Sequence, residues 1–237
     1  MKPLVILQTY NRPTMVIDAL EGIKNQTYKD FYTVVVDDGS DFDIVEKVKS
    51  VLTEPTPLYR AVALPKMDLK DRIYNNRQGW VLNGIVSGTD ADFFIVHADD
   101  DVMHSEYIEK TRQYFMDNPD VMYAYGPLRY FDRSKGEVPN DNAPLRSDQG
   151  PVSAPGKVDM AQVAFRVKPF KDNKALMFPE GKFWNLDEMI FRQLEAVYGL
   201  CQYFPHMTMY KSIGDHTMTH GLHGSNIPTE QWIERRE

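Results

Sequence analysis

The chain has 237 residues, 42% hydrophobic and 26% charged, a composition that suits one substantial α/β core and excludes wholesale disorder. Its formal charge of −7 offers no overall attraction to phosphate backbones or anionic lipid, so charge gives a nucleic-acid partner no support. A single cysteine, Cys201, excludes an intrachain disulfide, and with no signal-like start and no apolar run near the ~18 residues a membrane span needs, the expectation is a reducing, cytoplasmic setting.

Leu4-Val5-Ile6-Leu7 is an unbroken apolar run closed by Thr9-Tyr10-Asn11-Arg12-Pro13, the pattern of a strand buried on both faces and followed by a turn into a helix. Met15, Ile17, Leu20 and Ile23 then recur at roughly helical spacing behind Thr14, a candidate N-cap. Thr33-Val34-Val35-Val36 predicts a second strand ending in Asp37-Asp38-Gly39-Ser40, and Ile44 to Leu52 a short amphipathic helix. Ala61 to Leu64 is a candidate third strand. Residues 72 to 87 are expected to be helical, with Ile73, Trp80, Val81, Ile85 and Val86 on one broad face. Phe93-Phe94-Ile95-Val96 predicts a fourth strand, which runs into His97-Ala98-Asp99-Asp100-Asp101. Strands alternating with helices in this rhythm predict a mostly parallel, doubly wound sheet.

Further helices are expected over Tyr107 to Met116 and Asp187 to Tyr198, with a strand at Met122 to Tyr125. Residues 132 to 157 are rich in Pro, Gly, Asp, Asn and Ser and are read as a flexible, acceptor-side loop. The whole chain is taken as one domain, 1–237, with a ligand-binding half over 1–120 and a smaller second half over 121–237.

In a parallel sheet, ligands gather at the carboxyl ends of the strands, and three such ends carry polar signatures here: Thr9-Tyr10-Asn11, Asp37-Asp38-Gly39-Ser40 and Asp99-Asp100-Asp101. Asp37-Asp38-Gly39-Ser40 alone is equally well explained as turn chemistry. Three successive carboxylates after a buried strand repel one another unless a cation or hydrogen-bond donors compensate them. Mg²⁺ or Mn²⁺ suits such a triplet, because both take oxygen ligands from one or two carboxylates plus substrate phosphates and water.

Leu4 to Pro13, Gln26 at the end of the first helix, Val35-Val36-Asp37-Asp38-Gly39-Ser40-Asp41, and Asn83 ahead of Phe93 to Asp101 resemble, in order and spacing, glycosyltransferase family 2, whose members adopt the GT-A fold. The resemblance covers about the first 110 residues. It implies a metal-dependent transfer of a hexosyl or pentosyl group from a nucleoside diphosphate sugar, with a UDP-sugar expected, to an acceptor hydroxyl, with inversion. A glycan or lipid-linked acceptor fits the family, and no covalently bound cofactor is implied.

Carried over residue by residue, the resemblance puts Thr9, Tyr10, Asn11 and Arg12 in the nucleotide-contacting first turn and makes Asp38, with Asp37, the acid that meets the base. Asp99 and Asp100 fall on the donor side of the family's Asp-x-Asp element, and Asp101, with Asp99, on the metal. His97 stands where many relatives carry a further acid. Asn83 joins the donor set, as does Arg77 or Arg72, although a helix-surface role suits either arginine equally well.

Asp187 and Glu188 resemble the acidic pair at the start of a helix where inverting members keep their general base; Glu188 is the first choice and Asp187 the second. Trp184, beside them, is a candidate for stacking on a sugar ring. His220 or His223 is expected to complete the metal shell or touch phosphate, with a packed or surface histidine as the alternative. A nucleotidyltransferase would carry a Gly-rich loop after the first strand, and Gln8 to Pro13 holds no glycine. A sugar-nucleotide-binding module without turnover is the third reading.

Overall fold

The computed structural model describes residues 1–53, 58–68, 77–142, 145–146, 149–176 and 186–213. At its centre is β1 (Pro3–Thr9), flanked by β2 (Tyr32–Asp37) and β4 (Phe93–Ala98), both parallel to it. β3 (Leu58–Ala63) continues the parallel set beyond β2. On the other side β9 (Val163–Arg166) pairs antiparallel with both β4 and β6 (Tyr123–Tyr125), and β10 (Gln202–Tyr203) closes that edge parallel to β6. The resulting seven-stranded order is β10-β6-β9-β4-β1-β2-β3.

The helices are α1 (Met15–Lys24), α2 (Ile44–Val51), α3 (Arg77–Gly88), α4 (Tyr107–Asp117), the single turn α5 (Lys168–Lys171) and α6 (Leu186–Tyr198). Successive side chains of a strand point to opposite faces. Val5, Leu7, Phe93 and Ile95 therefore pack with residues of α1, α2 and α4, while Leu4, Ile6 and Phe94 pack with Leu82 and Val86 of α3 and with Ile190, Phe191 and Leu194 of α6. Both faces of β1 are covered, which is why it reads as a continuous apolar run.

A second sheet has the order β5-β11-β7-β8, formed by β5 (Val102–Met103), β11 (Met209–Ile213), β7 (Leu128–Asp132) and β8 (Leu145–Arg146). β11 is antiparallel to β5 and parallel to β7. Because β5 begins immediately after the acidic triplet, this sheet carries β11 to the rim of the central one. Gln26, fully buried at the end of α1, donates to the carbonyls of Gly22 and His104 and accepts from the Ile108 amide, so its side chain joins the end of α1 to the first turn of α4.

Several expectations change. Thr14 makes no side-chain cap on α1, and its backbone is already helical. Asp43 is the effective cap of α2, accepting from the amides of Val45 and Glu46. Trp80 is 64% exposed, because the buried stripe of α3 runs through Gly79, Leu82 and Val86 instead; the expected residues 72 to 76 of that helix lie outside the described residues. The stretch from 132 to 157 is not featureless: it holds a 3-10 turn at Arg133–Lys135 and strand β8, Val152 bridges to Cys201, and Ala154 is fully buried. Cys201 is itself buried, which raises its thiol pKa, in keeping with a packing role. No helix among the described residues is long and apolar enough to cross a membrane.

Gly126, between β6 and β7, receives a hydrogen bond on its carbonyl from the Gln162 side chain and donates its amide to the Gln162 carbonyl. A Cβ at this position would stand 2.5 Å from the His206 carbonyl oxygen and 2.5 Å from Thr208 Cγ2. Gly126→Ala should therefore lower stability by about 1–3 kcal/mol in urea or thermal unfolding. A change of only a few tenths would contradict this close approach.

Candidate active site

β4, β1 and β2 are neighbours, so their carboxyl ends lie side by side, and the sheet order reverses between β1 and β4, the place where open α/β sheets leave a crevice. Thr9 at the end of β1 ties the two neighbouring ends together. Its hydroxyl donates to Asp99 Oδ2 at 2.7 Å, while its carbonyl accepts from the Asp38 amide at 3.0 Å.

Asp99 also accepts from the Tyr10 amide at 3.4 Å and from Arg12 Nη1 at 2.9 Å. The same Arg12 nitrogen lies 3.1 Å from Asp100. Burial raises the Asp99 pKa, opposed by Arg12 and Thr9. Burial alone would lower that of Arg12, but Asp100 and Asp99 outweigh it and hold the guanidinium charged. Asn11 has φ of 49°, a left-handed conformation that asparagine tolerates, and its amide donates to Ser40 Oγ at 2.8 Å. Its side chain exchanges hydrogen bonds with Asp41.

The two acids after β2 differ. Both oxygens of Asp37 accept from the Ser40 amide, and the Ser40 hydroxyl also donates to Oδ1, so Asp37 closes its own turn. Asp38 instead turns to Arg77 at the start of α3, whose Nε lies 3.0 Å from its Oδ1. Gly39, at φ of 88°, lets this turn approach within a Cβ distance of 2.9 Å of the Pro65 carbonyl. Asn83 lies half-buried six residues after Arg77, about 120° around the helix from it at roughly 100° per residue.

Asp101 belongs to a third group. The β5–β11 register pairs Met103 with Met209 and Val102 with Tyr210, and one step further Lys211 stands opposite Asp101. Asp101 is fully buried; its Oδ1 accepts from the Ser212 amide at 2.9 Å and its Oδ2 lies 3.5 Å from Lys211 Nζ. Lys211 Nζ also sits 2.8 Å from Asp159 Oδ2. Burial pushes the Asp101 pKa up, Lys211 opposes it, and Asp100 and Asp159 add to the rise. Burial works against the Lys211 charge too, but Asp101 and Asp159 more than compensate and keep it protonated. His97, wholly buried at the end of β4, has its pKa drawn down to about 4 by burial and is therefore neutral.

Asp187 joins this group from the far end of the chain. It stands at the start of α6 and is exposed to solvent. Burial and then Asp159 push its pKa up to about 6, against Lys211 and an amide hydrogen bond from Met160. Helical phase explains its direction. Phe191, one turn later, stacks on Phe165 of β9 at 6.2 Å and so turns the Asp187 face toward the sheet. Glu188 lies about 100° further round and pairs instead with Arg192, at 2.9 Å from Nε and 2.5 Å from Nη2.

Among the described residues no three Asp, Glu, His or Cys side chains form a ready-made metal cage. Mg²⁺ and Mn²⁺ need less, since substrate phosphates supply much of the shell. Asp101 fits that requirement. One of its oxygens is anchored by the Ser212 amide, while the other, among the described residues, holds a long contact to Lys211. Among the described residues the surrounding carboxylates, Asp99, Asp100, Asp159 and Asp187, also outnumber the cations that face them, Arg12 and Lys211. Asp99 is the weaker fit, because Thr9, Tyr10 and Arg12 already engage it.

Trp184, His220, His223 and Arg72 lie outside the described residues. Lys211, Ser212 and Asp159 were not singled out in the sequence. The readable signal was a lysine inside the strand-like run Met209-Tyr210-Lys211-Ser212-Ile213, where a charge is out of place unless paired.

The chain is similar over 90% of its length to a crystal structure of S. aureus TarS 1-349, with a TM-score of 0.64, 18% identity and 60% of that chain covered. The UDP-GlcNAc complex of TarS 1-349 matches over 99% of this chain and 64% of that one, again with a TM-score of 0.64 and 18% identity. Protein CgeD of Bacillus subtilis (strain 168) is 24% identical over 124 residues, which are 52% of this chain and 28% of CgeD. The chain thus spans less than two thirds of the length of these relatives. The glycosyl transferase family 2 model matches residues 4–194, a stretch that includes the three strand ends and Asp187 with most of its helix, and on that match the chain belongs to glycosyl transferase family 2.

Proposed function

We propose that the chain transfers a sugar from a UDP-sugar to an acceptor hydroxyl, with inversion at the anomeric carbon and Asp187 as general base. The observation that carries this reading is that Asp101 contacts Lys211, which also holds Asp159, and that Asp187, far from Asp101 in the sequence, lies in the electrostatic field of the same Lys211–Asp159 pair. That arrangement supports a base set beside a diphosphate site, as in-line attack requires. UDP is the expected nucleotide because TarS 1-349, which shares the fold, has structures in complex with UDP and with UDP-GlcNAc.

Asp38, oriented by Arg77, is assigned to the base, and Thr9 with Arg12 to holding Asp99 and Asp100 at the ribose side. Asp101 would hold a divalent cation, Mn²⁺ or Mg²⁺, whose contribution is to neutralise charge developing on the departing diphosphate. Asp187 accepts the acceptor hydroxyl's proton on a carboxylate oxygen. A pKa near 6 makes it basic enough to do so while leaving it ionised at neutral pH. Glu188, paired with Arg192, keeps a structural place on the helix surface. A glycan or lipid-linked hydroxyl is the proposed acceptor, and the buried thiol of Cys201 suits a reducing, cytoplasmic location.

UDP release from UDP-GlcNAc and other UDP-sugars, with Mn²⁺ and an acceptor panel, tests this directly. Asp187→Asn should lower kcat by about 100-fold or more and leave UDP affinity within about twofold, while Glu188→Gln stays near wild type. The opposite pattern would return the base to Glu188.

The pH dependence has a definite sign. A base with a pKa near 6 is protonated below that value, so kcat/KM should fall about tenfold per pH unit below about pH 6 and level off above it. A profile flat down to pH 5 would remove Asp187 from the role.

Asp38→Ala should weaken UDP binding by about tenfold or more, from loss of a charged hydrogen bond, in isothermal titration. Unchanged affinity would place the base elsewhere.

A further inference from the structure

We propose that Lys211 is an internal stand-in for the divalent cation: in the metal-free protein its ammonium holds Asp101, and it must release Asp101 Oδ2 when the cation and a diphosphate arrive. This rests on the donor site proposed above and adds a competitor built into it.

The geometry supplies the argument. Asp101, Asp159 and Asp187 are brought together at one rim, and like charges so placed repel strongly when shielded from water. Lys211 is the cation set among them, with only 13% of its side chain exposed. Its two contacts are unequal. The 2.8 Å contact to Asp159 is a full charge-assisted hydrogen bond, whereas the 3.5 Å contact to Asp101 is at the limit of one. Asp159 is itself fixed, because it caps the 3-10 turn at Met160–Gln162 through a reciprocal capping box. The strong contact therefore ties Lys211 to a rigid element, and the weak one is the contact that yields.

Release leaves Asp101 in place. Its Oδ1 stays on the Ser212 amide, so Oδ2 is presented without the carboxylate having to reorient. The ammonium keeps Asp159, and the N–H withdrawn from Asp101 becomes available to a diphosphate oxygen, a point charge suited to phosphate. Lys211 thus changes partner rather than position: carboxylate before donor binding, phosphate after it. Asp159 acts through Lys211 and is a positioning residue.

The consequence is that removing the lysine charge should strengthen binding of the metal. An ammonium close to the cation opposes its binding by like-charge repulsion in a site shielded from water, and the expected effect of removing it is at least about tenfold tighter binding.

The test is Mn²⁺ titration of the full chain in saturating UDP, by calorimetry and by thermal shift, for wild type, Lys211→Met and Lys211→Arg. Lys211→Met should have a lower melting temperature without metal, a larger rise on adding Mn²⁺, and at least about tenfold tighter Mn²⁺ binding. Lys211→Arg, which keeps the charge, should stay near wild type on both measures. If Lys211→Met folds, binds UDP and takes up Mn²⁺ no more tightly than wild type, the stand-in role is overturned while the donor site stands. If Lys211→Met is too unstable to titrate, Lys211→Gln takes its place: Mn²⁺ binding at least about tenfold tighter than wild type upholds the proposal, and an unchanged affinity overturns it. Wild type that binds UDP neither with nor without Mn²⁺ overturns the donor site and this inference with it.

Discussion

Among the described residues, Asp99, Asp100, Asp101, Asp159 and Asp187 gather at the part of the rim where β4 ends, and Arg12 and Lys211 face them. Asp99 and Asp100 share Arg12; Asp101 and Asp159 share Lys211, and Asp187 lies in the field of the second pair. Removing charge from water costs several kcal/mol per ion unless partners compensate it. The architecture around the rim follows from that constraint. Thr9, the Tyr10 amide, the Ser212 amide and the Met160 amide each donate to a carboxylate, so strand ends and the 3-10 turn are built to solvate anions in place of water. Compensation remains incomplete at Asp99, Asp101 and Asp187, whose pKa values stay raised. Asp99 is already held by Thr9, Tyr10 and Arg12, and the other two are where a cation and a proton would be received under the proposed function.

The scaffold holds these groups still by apolar packing on both faces of β1. Phe94, Phe165 and Phe191 stack in sequence from β4 through β9 to α6, with centroid separations of 5.2 and 6.2 Å. Fully burying each such ring contributes about 1.5–3 kcal/mol, more than any single exposed ion pair supplies. Packing therefore sets where α6 lies, and the ion network then works within the geometry that packing provides. The antiparallel β9, inserted between two strands of the opposite sense, is what brings α6 and the Met160 turn against the rim.

Much of the first half of the fold was legible in the sequence. β1, β2 and β4 are apolar runs because both faces are covered, and each ends in polar residues that the sheet order makes neighbours. The other half was less readable for physical reasons. β5 and β10 have two residues each, too short for any period to register, and their pairing is set by long-range contacts. Lys211 and Asp159 gain meaning only as partners across a sheet that local patterns do not announce. The different surroundings of Asp187 and Glu188 were readable in principle: an aromatic four residues after one and an arginine four residues after the other turn them about 100° apart around the helix. The resemblance put Glu188 first, and the helical phase is what favours Asp187 in the proposed function.

The central claim is that Asp38, Asp101 and Asp187 surround a single cation-bound diphosphate. Anomalous diffraction from a crystal grown with UDP and Mn²⁺ tests it most directly. The account predicts one manganese peak beside Asp101 Oδ2 at about 2.0–2.3 Å, touching the diphosphate, with uracil toward Asp38 and Asp187 open to the far side of the phosphate. Manganese or UDP bound on another surface, with Asp101 still held by Lys211, would contradict it.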